Sequence, residues 1–326
     1  MQISLFTSLL TLLSFSTALS PTKLIYQTAV GNWYENLAVR PCGSILITSV
    51  TAPNLYSIDP NAPNPQPTLL HTFPSAVWTV GITETTPDTY YVVVANGSAR
   101  TGGVLGTQRL YSVKYTGQNA APKFELAATV GQALFLNGLT TLNERTVLAA
   151  DSQRGLVWAV DVVDGTSKVV VQDPLMAPTK DSPFIGINGI HIRNNHLYFS
   201  NGAQKILAKI AIRSDGTPVG PPATVVVSFK YGIDDFTLDF RGNIFAATSG
   251  GNTINEVQKN GKQFVVAGDL NSTELAQPTS AKFGRTKKDK GTLYVTTAGG
   301  LADPVQTKDG PQKVGAQLVA IDLKHK

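Results

Sequence analysis

Four polar residues along the chain offer oxygen atoms of the kind that bind hard metal ions. They are Glu35, Asn137, Asn188 and Asp234. Two carboxylates and two amides, without His or Cys, suit Ca²⁺ or Mg²⁺ better than Zn²⁺. The alternative is that these side chains only hold water. Either interpretation requires a fold that brings four distant segments together.

Each of these residues opens a copy of the same segment. The segment has a polar residue, a small or polar residue, an alternating apolar run, a turn and a second β-rich run, as in Phe184 to Asn201. Successive copies lie 45 to 57 residues apart, a period typical of propeller blades, which bury their faces against their neighbours. We therefore predict an all-β, six-bladed β-propeller with four-stranded blades, in which the equivalent positions are Glu35, Val80, Asn137, Asn188, Asp234 and Thr279.

The two ends of the chain complement each other. Lys23 to Thr28 forms a short predicted strand with no local partner, and Gln317 to Asp322 is the last strand of a blade that lacks one. We expect the N-terminal strand to complete the last blade. This arrangement closes the ring and removes an open sheet edge.

The N-terminus resembles a secretory signal peptide. Gln2 to Ala18 carries no charge, and its apolar run is shorter than the roughly 20 residues that a membrane span needs. We therefore predict a signal peptide over residues 1–18, a single propeller domain over residues 19–326, and no membrane association. Cys42 is the only cysteine. The sequons at Asn96 and Asn271 predict glycosylation, and we expect a protein of the secretory pathway that is either lumenal or secreted.

Charge and glycine content exclude several classes of partner. The net charge of +5 comes from scattered basic residues, and the one cluster, Arg285 to Lys290, falls in a predicted turn, so we expect no nucleic acid. The glycine-rich insertion from Ala99 to Gln108 lacks the Lys-Ser/Thr of a P-loop, and we interpret it as a loop. We also expect that the protein binds no organic cofactor and that it is a monomer.

Four short motifs resemble the metal-site segments of the regucalcin and gluconolactonase superfamily of six-bladed propellers. The resemblance covers nearly the whole chain after the signal peptide. It implies that Glu35, Asn188 and Asp234 hold a divalent cation, Ca²⁺ or Mg²⁺. It also implies that Asn137 contacts substrate or metal, and that Asp234 is the base of lactone hydrolysis. The motifs are Glu35-Asn36-Leu37, Asn137-Gly138, Asn188-Gly189-Ile190 and Asp234-Asp235-Phe236.

The chain departs from the sugar lactonases of that superfamily at three positions. Asn36 and Asp235 stand where those enzymes usually have Gly, and Phe135 stands where they carry an Arg that grips polar substrate. Aromatic residues also precede the inner strands repeatedly, which favours a flat, apolar ligand. The alternative is that these rings pack between blades. They are Trp33, Tyr34, Trp78, Phe135, Phe184 and Tyr231.

With these departures the chain resembles a fungal branch of the superfamily, whose members act in natural-product pathways. The branch includes hetero-Diels-Alderases that join a tropolone quinone methide to a humulene-type terpene. The resemblance implies an enzyme that orients small apolar substrates and excludes water. We accordingly predict catalytic roles for Asp234, Asn137 and Asp235, with substrate contacts from Trp78, Phe135, Phe184 and Tyr231.

Two other functions remain open at this point. A divalent-metal-dependent lactonase or esterase is favoured by Glu35, Asn188 and Asp234, because a bound cation polarises an ester carbonyl or activates water. A non-catalytic, ligand-binding propeller needs no reactive site at all.

Overall fold

Six antiparallel sheets of four strands each make up the structure. The computed structural model describes residues 19–98, 101–118 and 120–323, so the predicted signal peptide at residues 1–18 lies outside the described residues. The six sheets are the blades of a six-bladed β-propeller, which confirms the predicted fold.

The N-terminal strand β1 (Thr22–Val30) is the outer strand of the sixth blade. The first three blades follow in chain order from inner to outer strand. Blade 1 comprises β2 (Tyr34–Val39), β3 (Ile45–Ser49), β4 (Asn54–Ile58) and β5 (Thr68–Thr72). Blade 2 comprises β6 (Trp78–Thr86) and β7 (Thr89–Ala95), then, after a small hairpin of β8 (Gly97–Ser98) and β9 (Gly102–Gly103), β10 (Arg109–Lys114) and β11 (Lys123–Thr129). Blade 3 comprises β12 (Leu136–Thr141), β13 (Thr146–Asp151), β14 (Leu156–Asp161) and β15 (Ser167–Gln172).

The other three blades repeat this plan. Blade 4 comprises β16 (Ile187–Arg193), β17 (His196–Asn201), β18 (Ile206–Ala211) and β19 (Thr224–Ser228). Blade 5 comprises β20 (Phe236–Leu238), β21 (Ile244–Thr248), β22 (Thr253–Val257) and β23 (Gln263–Gly268). Blade 6 comprises β24 (Pro278–Phe283), β25 (Thr292–Thr297) and, after a hairpin of β26 (Val305–Thr307) and β27 (Gly310–Gln312), β28 (Gly315–Asp322). Three short 3-10 turns occur at Pro174–Met176, Ser249–Gly251 and Thr273–Leu275.

The ring closes as the sequence predicts. β1 pairs antiparallel with β28, with Lys23 opposite Ala320 and Gln27 opposite Gln317. The glycine-rich insertion of blade 2 differs from the predicted loop, because its described part pairs as the β8–β9 hairpin. No helix within the described ranges is long and apolar enough to cross a membrane.

The core lies between adjacent blades. All five residues of β3 are buried, whereas most of β5 at the outer edge of the same blade is not. One apolar cluster joins Trp78 and Val93 of blade 2 to Leu136 and Trp158 of blade 3. The second strands therefore read as nearly continuous apolar runs, because both of their faces are covered by neighbouring blades.

The inner strands carry β-bulges at the predicted site positions. Pairing is interrupted at Glu35-Asn36 in blade 1, at Asn137-Gly138 in blade 3 and at Asn188-Gly189 in blade 4. A bulge frees residues from the ladder and re-aims their side chains. In blade 5 the equivalent pair, Asp234-Asp235, stands immediately before β20. The repeated bulge therefore sets these residues at one level of the ring.

Candidate functional site

Hydroxyl groups on the second strands tie the bulges of adjacent blades together. Thr48 on β3 donates to a backbone carbonyl of blade 2 at 2.6 Å, and Ser200 on β17 donates to the carbonyl of Asp234 at 2.6 Å. Thr296 on β25 does the same for the carbonyl of Glu35 at 3.3 Å. The backbone at the site is therefore fixed by inter-blade hydrogen bonds.

We call Glu35, Asn137, Asn188 and Asp234 the upper tier. Asp234 is half-buried and the other three are buried. The Nδ2 of Asn188 donates to Oδ1 of Asp234 at 2.7 Å, and the indole of Trp33 donates to Oε2 of Glu35 at 2.6 Å. The fold thus brings the predicted residues to one ring, and both carboxyls accept a hydrogen bond from a neighbour.

Both carboxyls of the upper tier have a raised pKa. Burial raises the pKa of Glu35 to about 7, against the hydrogen bond from Trp33, which lowers it, and with a smaller upward contribution from the charge of Asp235. Burial, followed by the charges of Glu35 and Asp235, raises the pKa of Asp234 well above its ordinary value. Because a buried carboxyl near other carboxylates resists ionisation, the protonated form of Asp234 is favoured, and that form can donate a hydrogen bond.

We call Asn36, Asp235 and Ser280 the lower tier. They hold equivalent places in blades 1, 5 and 6, one residue after Glu35, Asp234 and Thr279, and these three blades are consecutive in the ring. Asp235 Oδ2 accepts from Nδ2 of Asn36 at 3.2 Å and from the hydroxyl of Ser280 at 2.9 Å. Asn36 and Asp235, the two polar departures from the lactonase pattern, therefore bond to each other across the ring.

Glycine fills the same position in blades 2, 3 and 4. At Gly189 a Cβ atom would lie 2.1 Å from Oδ1 of Asp235 and 2.8 Å from its Cα. No larger residue fits there unless Asp235 moves. Gly189 thus leaves room for the Asp235 side chain, whereas Gly81 and Gly138 let a backbone carbonyl of the next blade approach closely.

A lysine and a histidine hold Asp235 from the far side of the lower tier. Lys282 Nζ lies 3.5 Å from Oδ2 of Asp235 and 3.2 Å from Nε2 of His191, and that Nε2 is 3.1 Å from Oδ1 of Asp235. Burial opposes ionisation of Asp235, but Lys282 and His191 keep its pKa below the usual range. Burial and Lys282 lower the pKa of His191. A stable anion therefore lies beside the neutral Asp234.

Sequence reasoning missed Ser280, His191 and Lys282. The spacing of His191 and Lys282 along their strands could have indicated these two residues. His191 lies two residues after Gly189, and Lys282 lies two residues after Ser280. Because side chains alternate along a strand, residues two apart face the same way. The inner strands therefore project them toward the lower tier.

The aromatic residues occupy two kinds of environment. Trp78 and Phe135 stack with ring centroids 5.1 Å apart, and they are only 1% and 6% exposed. Tyr34 is also buried in the core. The prediction of an open aromatic rim is wrong for these three, which pack between blades because large rings fill that space. Phe184 and Tyr231 are half-buried, and contact of any of these rings with substrate stays a prediction.

Two relatives identify the family. A protein from a Phoma species named hetero-Diels-Alderase is 30% identical over 304 residues, which cover 85% of this chain and 86% of the relative. The chain belongs to this hetero-Diels-Alderase family. A Sarocladium schorii protein of the same name is 27% identical over 312 residues, covering 85% of this chain and 78% of that one. The SMP-30/Gluconolactonase/LRE-like region family matches residues 169–299.

Solved structures share the fold of this hetero-Diels-Alderase family member. A luciferin-regenerating enzyme aligns with a TM-score of 0.65 at 14% identity, over 93% of this chain and 95% of that one. The calcium-binding protein regucalcin from Agrobacterium tumefaciens aligns with a TM-score of 0.62 at 16% identity, over 94% and 96%. At these identities the likeness shows the propeller alone.

The upper tier of this hetero-Diels-Alderase family member has the oxygen donors that a hard cation prefers. Its side chains, however, are not oriented to bind one. Its four side chains supply oxygen atoms, yet Asn188 turns its nitrogen toward Asp234 and Trp33 already bonds Glu35. No cluster of three His, Cys, Asp or Glu within the described residues is arranged to hold a metal. A cation at Glu35, Asn188 and Asp234 would need the Asn188 amide to rotate, and it stays a prediction.

Proposed function

We propose that the protein is a hetero-Diels-Alderase-type pericyclase. It joins an apolar, polyketide-derived quinone methide of the tropolone type to a terpene-like alkene. The names of the two relatives support this reaction class. Within the structure one observation supports it, which is that the half-buried carboxyl of Asp234, whose pKa burial raises, lies next in sequence to the Asp235 carboxylate that Lys282 and His191 contact.

The cycloaddition has no net proton transfer, so no side chain has to accept or supply a proton. One C–C and one C–O bond form while three π bonds become one, and no atom leaves. Electron density builds on the oxygen of the heterodiene as the bonds form. A hydrogen bond from the neutral Asp234 carboxyl stabilises that oxygen. Such a bond is worth about 1 to 2 kcal/mol, or roughly five- to thirtyfold in rate.

The other site residues orient the reactants. Asn188 holds the Asp234 carboxyl by a hydrogen bond, and Glu35 and Asn137 offer further polar groups in the same tier. The aromatic side chains of Phe184 and Tyr231 give flat surfaces against which conjugated rings stack. Holding the two reactants in one geometry accelerates the reaction and selects one stereoisomer.

Product analysis tests the proposal. A quinone methide released in solution is mixed with a humulene-type alkene, with native protein and with heat-denatured protein as the control. We expect faster formation of a single cycloadduct enantiomer with the native protein, measured by chiral chromatography. Equal rates and racemic adduct in both samples would overturn the proposed function.

A metal-dependent lactonase is the second candidate. The matched residues 169–299 of the gluconolactonase-like family include Asn188 and Asp234, which favours it. Phe135 disfavours it, because it stands where the sugar lactonases of the resembled superfamily carry an Arg that grips polar substrate, and the loss of that hydrogen bond costs about 1 to 3 kcal/mol. We expect poor gluconolactone hydrolysis, with or without Ca²⁺. Efficient turnover that EDTA abolishes would put the lactonase first, whereas ligand binding without any reaction would favour a binding propeller.

We also propose a monomer in the secretory pathway, after removal of residues 1–18. Asn271 is exposed beside a turn and suits a glycan, whereas Asn96 is half-buried. The Nδ2 of each donates to a backbone carbonyl, that of Gln306 for Asn271 and that of Ser75 for Asn96, so exposure alone separates the two sites. Asn271→Gln should therefore remove more of the glycan mass than Asn96→Gln. Mass spectrometry of protein secreted from a eukaryotic host measures both.

A further inference from the structure

A cavity of about 340 Å³ opens between blades 5 and 6, at the ends of the inner strands that lie away from the upper tier. Asp234-Asp235 stands before β20, whereas the cavity is lined by the turn that follows β20, from Asp239 to Asn243. Blade 6 contributes Phe283 at the end of β24 and Lys290 in the turn to β25. The cavity therefore contains no residue of the upper or lower tier, and the proposed reaction does not use it.

The walls of the cavity are aromatic and apolar. Phe245 and Phe283 meet edge to face with ring centroids 5.2 Å apart, and Leu238 also lines the space. Phe240 stands at the rim and is 84% exposed, the largest exposed fraction among the large apolar side chains that the structure describes. An exposed ring that continues into an apolar cavity differs from a single scattered surface residue, and such patches bind ligands or partners.

The turn that carries Phe240 is fixed by hydrogen bonds. The carboxylate of Asp239 accepts from the backbone N–H of Asn243 at 2.8 Å and from its Nδ2 at 3.0 Å. Arg193 of blade 4 donates to the carbonyl of Asp239 at 2.8 Å and to that of Phe240 at 2.7 Å. The backbone around the cavity is therefore set before any ligand arrives, so binding has to order side chains only.

Two cations at the rim lack an acidic partner. Arg241 and Lys290 both line the cavity, and neither forms an ion pair with any residue that the structure describes. The acids of the lining are Glu256 and Asp239, and the carboxylate of Asp239 is already engaged in its own turn.

Further positive charge surrounds the same rim. Lys259 lies against the turn, since a Cβ atom on Gly242 would be 3.2 Å from its Cε. Lys290 is also the last residue of the basic cluster from Arg285 to Lys290, in which Lys287 and Lys288 are exposed. Cations therefore outnumber acids around an apolar cavity.

We propose that this cavity binds a small amphipathic anion, an aromatic ring system that carries one carboxylate or sulfonate group. The rings enter against Phe245 and Phe283 and beside Phe240, and the anionic group lies at Lys290 and Arg241. An apolar cavity with a few charged groups at its rim is the usual form of a small-molecule site.

This binding site goes beyond the proposed function and does not depend on it. A protein that binds the anion but catalyses no cycloaddition would refute the proposed function alone. A pericyclase whose cavity between blades 5 and 6 stays empty in the test below would refute this inference alone.

The test uses 1-anilinonaphthalene-8-sulfonate and N-phenyl-1-naphthylamine, which share the same rings and differ by one sulfonate. Fluorescence titration gives the affinity of each probe for the wild type and for the variants. Lys290→Gln and Arg241→Gln should each weaken the sulfonate about threefold and leave the neutral probe unchanged. Glu256→Gln should strengthen the sulfonate about threefold, because it removes a repelling charge, and Phe240→Ser should weaken both probes about fivefold.

Lys123→Gln is the matched control, because Lys123 is an exposed lysine on the outer strand of blade 2. It should bind both probes as the wild type does. Phe240, Arg241 and Lys290 are exposed, so their variants should melt as the wild type does. If the three charge changes leave the affinity for the sulfonate as it is in the wild type, or if Phe240→Ser alters neither affinity, the probes bind elsewhere and the proposal is overturned.

Discussion

Three carboxyls within one ring differ in protonation because their partners differ. Asp235 accepts from Asn36 and Ser280 and lies beside Lys282, so it stays ionised. Glu35 and Asp234 have single neutral donors and face the charge of Asp235. Burial is therefore the main cause that disfavours ionisation of Glu35 and Asp234, and the charge of Asp235 adds to it, as in active sites that pair groups of divergent pKa.

The raised pKa of Glu35 predicts a pH-dependent stability. Its folded-state pKa of about 7 lies above the ordinary value of 4.5, so the folded state binds more protons between these two values. The free energy of unfolding should therefore fall as pH rises from about 4.5 to 7, by about 3 kcal/mol from this group. Glu35→Gln should flatten that slope, as measured by urea unfolding across this range.

The exposed Glu144 supplies the control for this experiment. Glu144→Gln should leave the slope as it is in the wild type. A Glu35→Gln protein whose stability still declines to the same extent would show that Glu35 is ionised in the folded state throughout.

At the residue scale, the sequence predicts the upper tier but not what sets its protonation. Glu35, Asn188 and Asp234 are recognisable because they hold the same place in successive repeats. The contact of Lys282 with Asp235 joins blades 5 and 6 across the ring. It has no local pattern, and it becomes visible only when the ring is closed.

At the element scale, the bulge of each inner strand determines what the site can contain. Gly189→Ala tests this directly, because the new Cβ would meet both the carboxylate and the Cα of Asp235. We expect a loss of more than about 2 kcal/mol in unfolding free energy, since buried overpacking usually costs 1 to 3 kcal/mol and here it also disturbs a charged network. Thermal and urea unfolding measure the loss.

Gly131→Ala is the matched control, since a Cβ there has no atom within 4 Å and its φ is not in the left-handed region. That variant should be neutral or slightly stabilising. Equal stability of the two variants would mean that the inner strand of blade 5 shifts freely, contrary to a rigid lower tier.

The strands could be predicted from the repeat more reliably than the environment of their aromatic residues. The apolar alternation and the turn residues mark the inner and second strands of each blade. The position of Trp78 at the start of β6 is equally visible, but its burial depends on the β8–β9 hairpin, an insertion that stands outside the repeated four-strand pattern. An insertion has no repeat against which to compare it.

At the scale of the whole molecule, closure of the ring makes the site possible, because Glu35 and Thr296 lie at opposite ends of the chain and meet at the junction of blades 1 and 6. Deleting residues 19–30 removes β1 and leaves β28 as an open edge. We expect the truncated protein to lose its cooperative thermal transition and to aggregate. Calorimetry that shows a transition as sharp as that of the full chain would argue that five complete blades suffice.

The six-blade architecture follows from spacing alone, since copies 45 to 57 residues apart leave room for four short strands each. The chemistry does not follow in the same way. Propellers of this shape carry many activities, so the reaction has to be argued from the site.

The central claim is that a neutral Asp234 carboxyl donates a hydrogen bond to the reacting oxygen. The most direct measurement is the pH dependence of the cycloaddition rate constant for the wild type, Asp234→Asn and Asp234→Leu. We expect the wild-type rate to fall as pH rises through the raised pKa of Asp234. Asp234→Asn, which donates without titrating, should keep part of the rate at every pH, and Asp234→Leu should lose roughly five- to thirtyfold. A rate that rises with pH, or that Asp234→Leu leaves unchanged, would contradict the account.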